Sequence, residues 1–139
     1  MNLITDRTRA DVLMGTEKGK YGVEDLNRVE RAVETLFVLA KAVDVPYVPE
    51  VKTDWAFPGV FSAGTWPTKG QMARYLENVH RLCRDLEIKA NLPVTMENLD
   101  WEGANAIEQA LLGAYERIQT ITQAFRFSGE LFAGEENCV

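Results

Sequence analysis

The chain has 139 residues, 46% of them hydrophobic, with a formal net charge of −6 at pH 7. This length predicts one domain that buries a core without staples, and the acidic balance argues against nucleic acid, since phosphate binding needs a surplus of Lys and Arg on one face. The two cysteines, Cys83 and Cys138, make no disulfide scaffold and suit a reducing compartment, no apolar run approaches the roughly 18 residues of a membrane span, and Met1 to Arg7 lack the pattern of a secretion signal.

Residues 1–20 read as an N-terminal arm. Thr5 or Asp6 stands where a cap for a brief helix through Ala10, Asp11, Val12 and Leu13 belongs, and Gly15 and Gly19 weaken its continuation. The arm either lies on the surface or reaches a neighbour.

The first long helix is expected over 23–43. Leu26, Val29, Val33, Leu36, Phe37 and Ala40 recur at spacings of three and four, which places them on one face. Glu24 and Asp25 in its first turn and Lys41 near its end complement the helix dipole.

Residues 44–67 form a connector far longer than an ordinary helix–helix link. Four prolines fall in it (Pro46, Pro49, Pro58, Pro67), together with Tyr47, Val48, Trp55, Phe57, Val60, Phe61 and Trp66. A flexible linker is polar and glycine-rich, so this one is expected to be ordered against something. Val45 to Val51 alternates loosely, as a short extended strand does.

The second helix is expected over 68–89, opened by a Thr68–Gln71 capping box, with Met72, Tyr75, Leu76, Val79, Leu82, Cys83 and Leu86 as its apolar stripe. The third is expected over 100–125, capped by Asn98 or Asp100. Its stripe is Ala104, Ile107, Leu111, Ala114, Tyr115, Ile118, Ile121 and Phe125. Residues 126–139, apolar and broken by glycine, read as a C-terminal strap in a small hairpin or extended form. The three openings superpose so that Asn27 matches Asn105, Val29 matches Ile107 and Glu30 matches Glu108. An old duplication and the shared grammar of capped amphipathic helices explain this equally well. The resulting expectation is an all-α fold, a three-helix bundle with a long ordered connector between the first two helices and short extended ends.

No catalytic or metal site is expected, and no cofactor. Glu77 and His80 form an E-x-x-H pair on a helix, as in di-iron bundles, but His80 is the single histidine and a second nitrogen ligand is missing; Glu30, Glu34 and Glu108 offer only oxygens. A hydrolytic triad has no base other than His80, beside Arg81 and Arg84, and no phosphate loop, dinucleotide fingerprint or nucleophile elbow is present. The aromatics carry more information. Trp66 and Trp101 stand at helix entrances, where a ring staples the incoming chain. Trp55, Phe57, Phe61, Tyr47 and Phe132 are the candidate partner-binding residues, since exposed aromatics mark contact sites. Asn27 and Asn105 are structural candidates, fixing register if they are buried.

Several strings also resemble a segment of virion and tail-associated proteins from prophages of Gram-positive, often gut, bacteria. These are Thr5-Asp6-Arg7-Thr8, Asp11-Val12, Lys18-Gly19-Lys20-Tyr21 leading into Asp25 to Glu30, Lys52-Thr53-Asp54-Trp55, Pro67-Thr68, Met72 to Leu76, Ser128-Gly129-Glu130 and Gly134-Glu135. The resemblance spans about Ile4 to Glu135 and departs at Gly22-Val23, where an Asn-Ala type cap is expected. It implies a non-enzymatic structural or adaptor part of a tail, present in several copies. Its partners would be other tail proteins and itself, first in the host cytoplasm and then in the virion. The alternative from the residues is a small acidic regulator or inhibitor of a host protein by charge mimicry; an enzyme ranks third.

Overall fold

In a computed structural model, Thr8 rather than Thr5 or Asp6 opens the first helix. Its Oγ1 accepts from the Asp11 backbone N–H, and the Asp11 carboxylate accepts from the Thr8 N–H in return. The structure describes the backbone of residues 2–137 and the side chains of residues 2–124. Helix α1 (Arg9–Met14) buries none of its residues. Gly15, left-handed at φ +66°, ends it: the N–H groups of Gly15 and Thr16 close onto the carbonyls of Val12 and Asp11. A single 3₁₀ turn, Glu17–Gly19, then leads to the first long helix.

That helix, α2 (Val23–Ala40), prolonged by the 3₁₀ turn Lys41–Val43, matches the expected 23–43. Gly22 supplies no side-chain cap, yet the Asp25 carboxylate reaches back to accept from its N–H at 2.8 Å. Helix α3 (Lys69–Asp85) begins at the expected capping box, with Thr68 accepting from Gln71 N–H and Gln71 from Thr68 N–H. Replacing Thr68 by alanine is expected to lower stability by about 1 kcal/mol, measured as a fall in the urea midpoint at unchanged slope. Helix α3 stops at Asp85 instead of 89. Glu87 takes a left-handed φ of 56°, so its N–H and that of Ile88 bond back to Arg84 and Cys83 while Ile88 packs on the core. Glycine usually holds that position, and its absence hid the stop. Asp44 does the same at φ 68° after the 3₁₀ turn that prolongs α2.

Helix α4 runs from Trp101 to Asn137, with Asp100 accepting from Gly103 N–H at its start. The strap expected over 126–139 is therefore corrected. The backbone stays helical through Asn137, because Gly129 and Gly134 each weaken a helix by only about 1 kcal/mol relative to alanine. In the connector, Val45 to Val51, expected as a short strand, forms no regular secondary structure. The two short strands are β1 (Pro58–Gly59) and β2 (Ser62–Ala63), an antiparallel hairpin whose turn carries Val60 and Phe61. Gly64 is required at its foot, where a Cβ would fall 1.7 Å from the Ala56 carbonyl oxygen.

The fold is mainly α, and each of α2, α3 and α4 packs against the other two. Their buried residues fall at the same steps. Leu26, Val29, Val33 and Leu36 of α2 correspond to Leu76, Val79 and Cys83 of α3 with Leu86 just past its end, and to Ala104, Ile107, Leu111 and Ala114 of α4.

Candidate functional site

Aligning the three helices on their buried steps brings a second set of positions into register: Asn27, Glu77 and Asn105, followed three residues later by Glu30, His80 and Glu108. On α4, Asn105 clamps an extended strap from the start of the chain. Its Oδ1 accepts from Arg7 N–H at 3.0 Å and its Nδ2 donates to the Arg7 carbonyl at 2.9 Å. One turn on, Glu108 accepts from Ile4 N–H, and Gln109 donates to the Thr5 carbonyl. On α2, Asn27 treats Trp55 identically, accepting from its N–H at 2.7 Å and donating to its carbonyl at 3.2 Å. Glu30 accepts from Lys52 N–H and Arg31 donates to the Thr53 carbonyl. The two straps, Ile4-Thr5-Asp6-Arg7 and Lys52-Thr53-Asp54-Trp55, share their Thr-Asp pair and their burial, with the aspartate exposed and the last residue sunk into the molecule. Such reciprocal pairing satisfies both backbone groups of a strap residue that has no sheet to join.

What each strap delivers differs. Arg7 brings a guanidinium into the interior. It donates to Glu108 at 2.6 Å and Asp25 at 3.1 Å, and Arg28 donates to the same two carboxylates. Arg7 Nε lacks a partner, and its guanidinium lies over the Tyr21 ring. Trp55 brings an indole whose N–H donates to Glu30 at 2.7 Å, while Arg74 of α3 donates to both oxygens of that carboxylate. These buried charges are paired and hydrogen-bonded, the condition under which interior ions persist.

Between the two clusters the Tyr21 and Tyr75 hydroxyls share a hydrogen bond, and burial raises the pKa of both above the ordinary tyrosine value. A neutral acid whose folded pKa is raised contributes stability below its unfolded pKa of 10.0 and loses it as pH climbs toward the folded value. The urea midpoint is therefore expected to fall between pH 9 and about 11, and to fall less steeply in Tyr75→Phe, an experiment that also reads the phenolate absorbance on unfolding.

The third position breaks the pattern. Here α3 carries Glu77 and His80, and the irregular segment 92–97 beside it is held through the Pro93 carbonyl, 3.3 Å from His80 Nε2. Glu77 grips no strap; it accepts from Arg84 at 2.6 Å. Val94, Thr95 and Glu97 all stand exposed, where each of the other straps exposes only its aspartate. The result is an open groove of about 1100 Å³ along α3, walled by Phe57, Trp66, Met72, Leu76, Met96 and Leu99, with Glu77, His80, Lys69 and Glu97 beside them. Lys69 and Glu97 pair with each other across it at 3.2 Å.

The candidate contact residues divide accordingly. Trp55, expected to face a partner, is 3% exposed and belongs to the core, a correction explained by the pull of Asn27 and Glu30 on its amide and indole. Tyr47 is half-buried, edge-on to Phe37 and beneath the Arg81 guanidinium. Phe57 stacks on Trp66 with centroids 5.1 Å apart, and Trp66 is largely exposed. Phe61 and Val60, at 102% and 93%, stand clear of the molecule. Trp101 is half-buried at the first turn of α4. The side chain of Phe132 lies outside the described residues. Asn27 is half-buried and Asn105 buried, both engaged as clamps. Sequence reasoning missed Arg7 and the strap repeat; the recurrence of Thr-Asp at Thr5-Asp6 and Thr53-Asp54 was the available signal.

Among the described residues, no group of three or more His, Cys, Asp or Glu side chains is placed to hold a metal ion. No helix among them is long and apolar enough to cross a membrane. Comparison of the chain with protein-family models, with curated proteins and with solved structures finds no match.

Proposed function

We propose that this chain is a non-enzymatic adaptor that works by protein–protein contact, built as a three-helix bundle with straps. The observation that carries the reading is the pairing of an apolar hairpin tip, Val60 and Phe61, with the groove bordered by the same connector at Phe57 and Trp66. Large apolar groups held clear of a well-filled core mark contact sites. The charged groups of greatest chemical interest, Arg7, Asp25, Arg28, Glu30, Arg74 and Glu108, spend their donors and acceptors on holding straps and helices together. That use also weighs against the acidic-mimic alternative, since three of the carboxylates are interior.

Placed with the resemblance to prophage tail proteins, the adaptor belongs to a phage or phage-derived tail, assembled in the host cytoplasm and carried in the virion with other tail proteins and further copies of itself. Native mass spectrometry of particles from the source organism tests this. The chain is expected in several copies bound to other particle components; its absence from particles, or its recovery only as a free monomer, overturns the proposal.

A further inference from the structure

We infer that the groove along α3 receives the β1–β2 hairpin tip of a second copy of this chain, Phe61 leading, so that copies join head to tail. The inference rests on the adaptor reading and names one of its partners.

The groove lies at the third position, where no clamp is built. At the two clamped positions an Asn and a Glu hold a strap onto the helix through its backbone groups. On α3, His80 alone meets the neighbouring segment, at the Pro93 carbonyl, and the half-buried Met72 and Met96 line the groove with the largely exposed Trp66, while Leu76 belongs to the core. A device that recurs at two matching positions and is missing at the third leaves the third open for contact with something else.

Charge decides the occupant. A chain of net charge −6 repels its own copies over most of its surface. The stretch Ala56–Thr65 has no charged residue, and at the groove Lys69 pairs with Glu97 and Glu77 with Arg84. Tip and groove are thus a neutral pair on an acidic molecule, the faces at which two copies meet with least repulsion. Phe61 lies outside its own groove, since the hairpin springs from the groove wall at Phe57 and Trp66 and neither tip residue lines the cavity. A knob and a hole on different parts of one surface give a heterologous contact that closes into rings or extends into filaments. Two tip side chains bury far less than the roughly 800 Å² per partner of a stable interface, so a single contact is weak and gains strength from ring closure.

Sedimentation velocity over a wide concentration range tests this with the full chain. The average mass of the wild type is expected to rise with concentration. Phe61→Ser removes the knob without changing charge. Ala73→Arg fills the groove from an exposed helical position and lowers the net negative charge, so repulsion cannot explain a loss. Each variant alone is expected to associate about tenfold or more weakly, the loss of one apolar anchor. An equimolar mixture of the two is expected to form dimers that grow no further, because one copy keeps a groove and the other a tip. A wild type that stays monomeric at every concentration overturns the inference, as does association that survives either substitution. Those results leave the adaptor reading standing on its particle test, which detects other partners.

Discussion

Replacing Glu108 by glutamine is expected to lower unfolding stability by about 3–5 kcal/mol, the usual penalty for removing one partner of a buried ion pair. The side chain is fully buried, and its oxygens accept from Arg7, from two nitrogens of Arg28 and from the Ile4 amide. Glutamine keeps the shape but removes the charge, and it turns an N–H₂ toward groups that only donate. Asp25 is then left to balance two guanidiniums, one of them interior. Against a typical total of roughly 5–15 kcal/mol, such a loss is readily seen in urea or thermal unfolding. Because the same carboxylate seats the strap, amide exchange adds a local readout: protection at Ile4 and Arg7 should fall while protection at Lys52 and Trp55, held by the other clamp, should not. Adding Arg7→Met to Glu108→Gln should cost less than the sum of the single changes, since the second removes the charge that the first strands. A Glu108→Gln protein as stable as wild type would show that the cluster merely balances its own desolvation.

The helices were legible because their period is set by burial. The stripes read from Leu26 and Tyr75 onward, and that from Ala104 as far as Ile118, are those the core uses, whereas the side chain of Phe125 lies outside the described residues; the capping box at Thr68 needs only local chemistry. The ends were less so: Asp44 and Glu87 stop their elements in a left-handed conformation that favours glycine, and neither residue announces it. The clamps lay deeper. Asn27 and Asn105 were recognisable as equivalent, with Glu30 and Glu108 behind them, but what they hold lies 28 and 98 residues away in the chain. No helical period or local propensity reports such a pairing. The groove was least legible, because at its position α3 carries Glu77 and His80 in place of an Asn–Glu clamp; in the sequence those two residues form an E-x-x-H pair without the further ligands that a metal site needs.

Truncating Trp55 to alanine is expected to cost about 3–5 kcal/mol, the range for emptying a large buried aromatic site. The indole fills the space between α2 and the connector, Lys52 lies over its ring, and its N–H donates to Glu30. Trp55→Phe separates the parts. Phenylalanine retains much of the packing but not the N–H, so its loss should be close to the roughly 1.5–3 kcal/mol of a hydrogen bond to a charged acceptor. Glu30 remains anchored in either variant by Arg74 and the Lys52 amide, so α2 and α3 should stay together while the connector loosens. The contrast with Phe61 decides what the connector is for. If Trp55 were the anchor that a reading of exposed aromatics suggests, its removal would leave unfolding unchanged and abolish association. The strap geometry requires the reverse: Trp55→Ala shifts the unfolding midpoint, whereas Phe61→Ser leaves it within about 0.5 kcal/mol, as surface changes do, and acts on contact alone. One connector thus carries both the residue that fastens it to the helices and the exposed residue that we propose as its contact with a second copy.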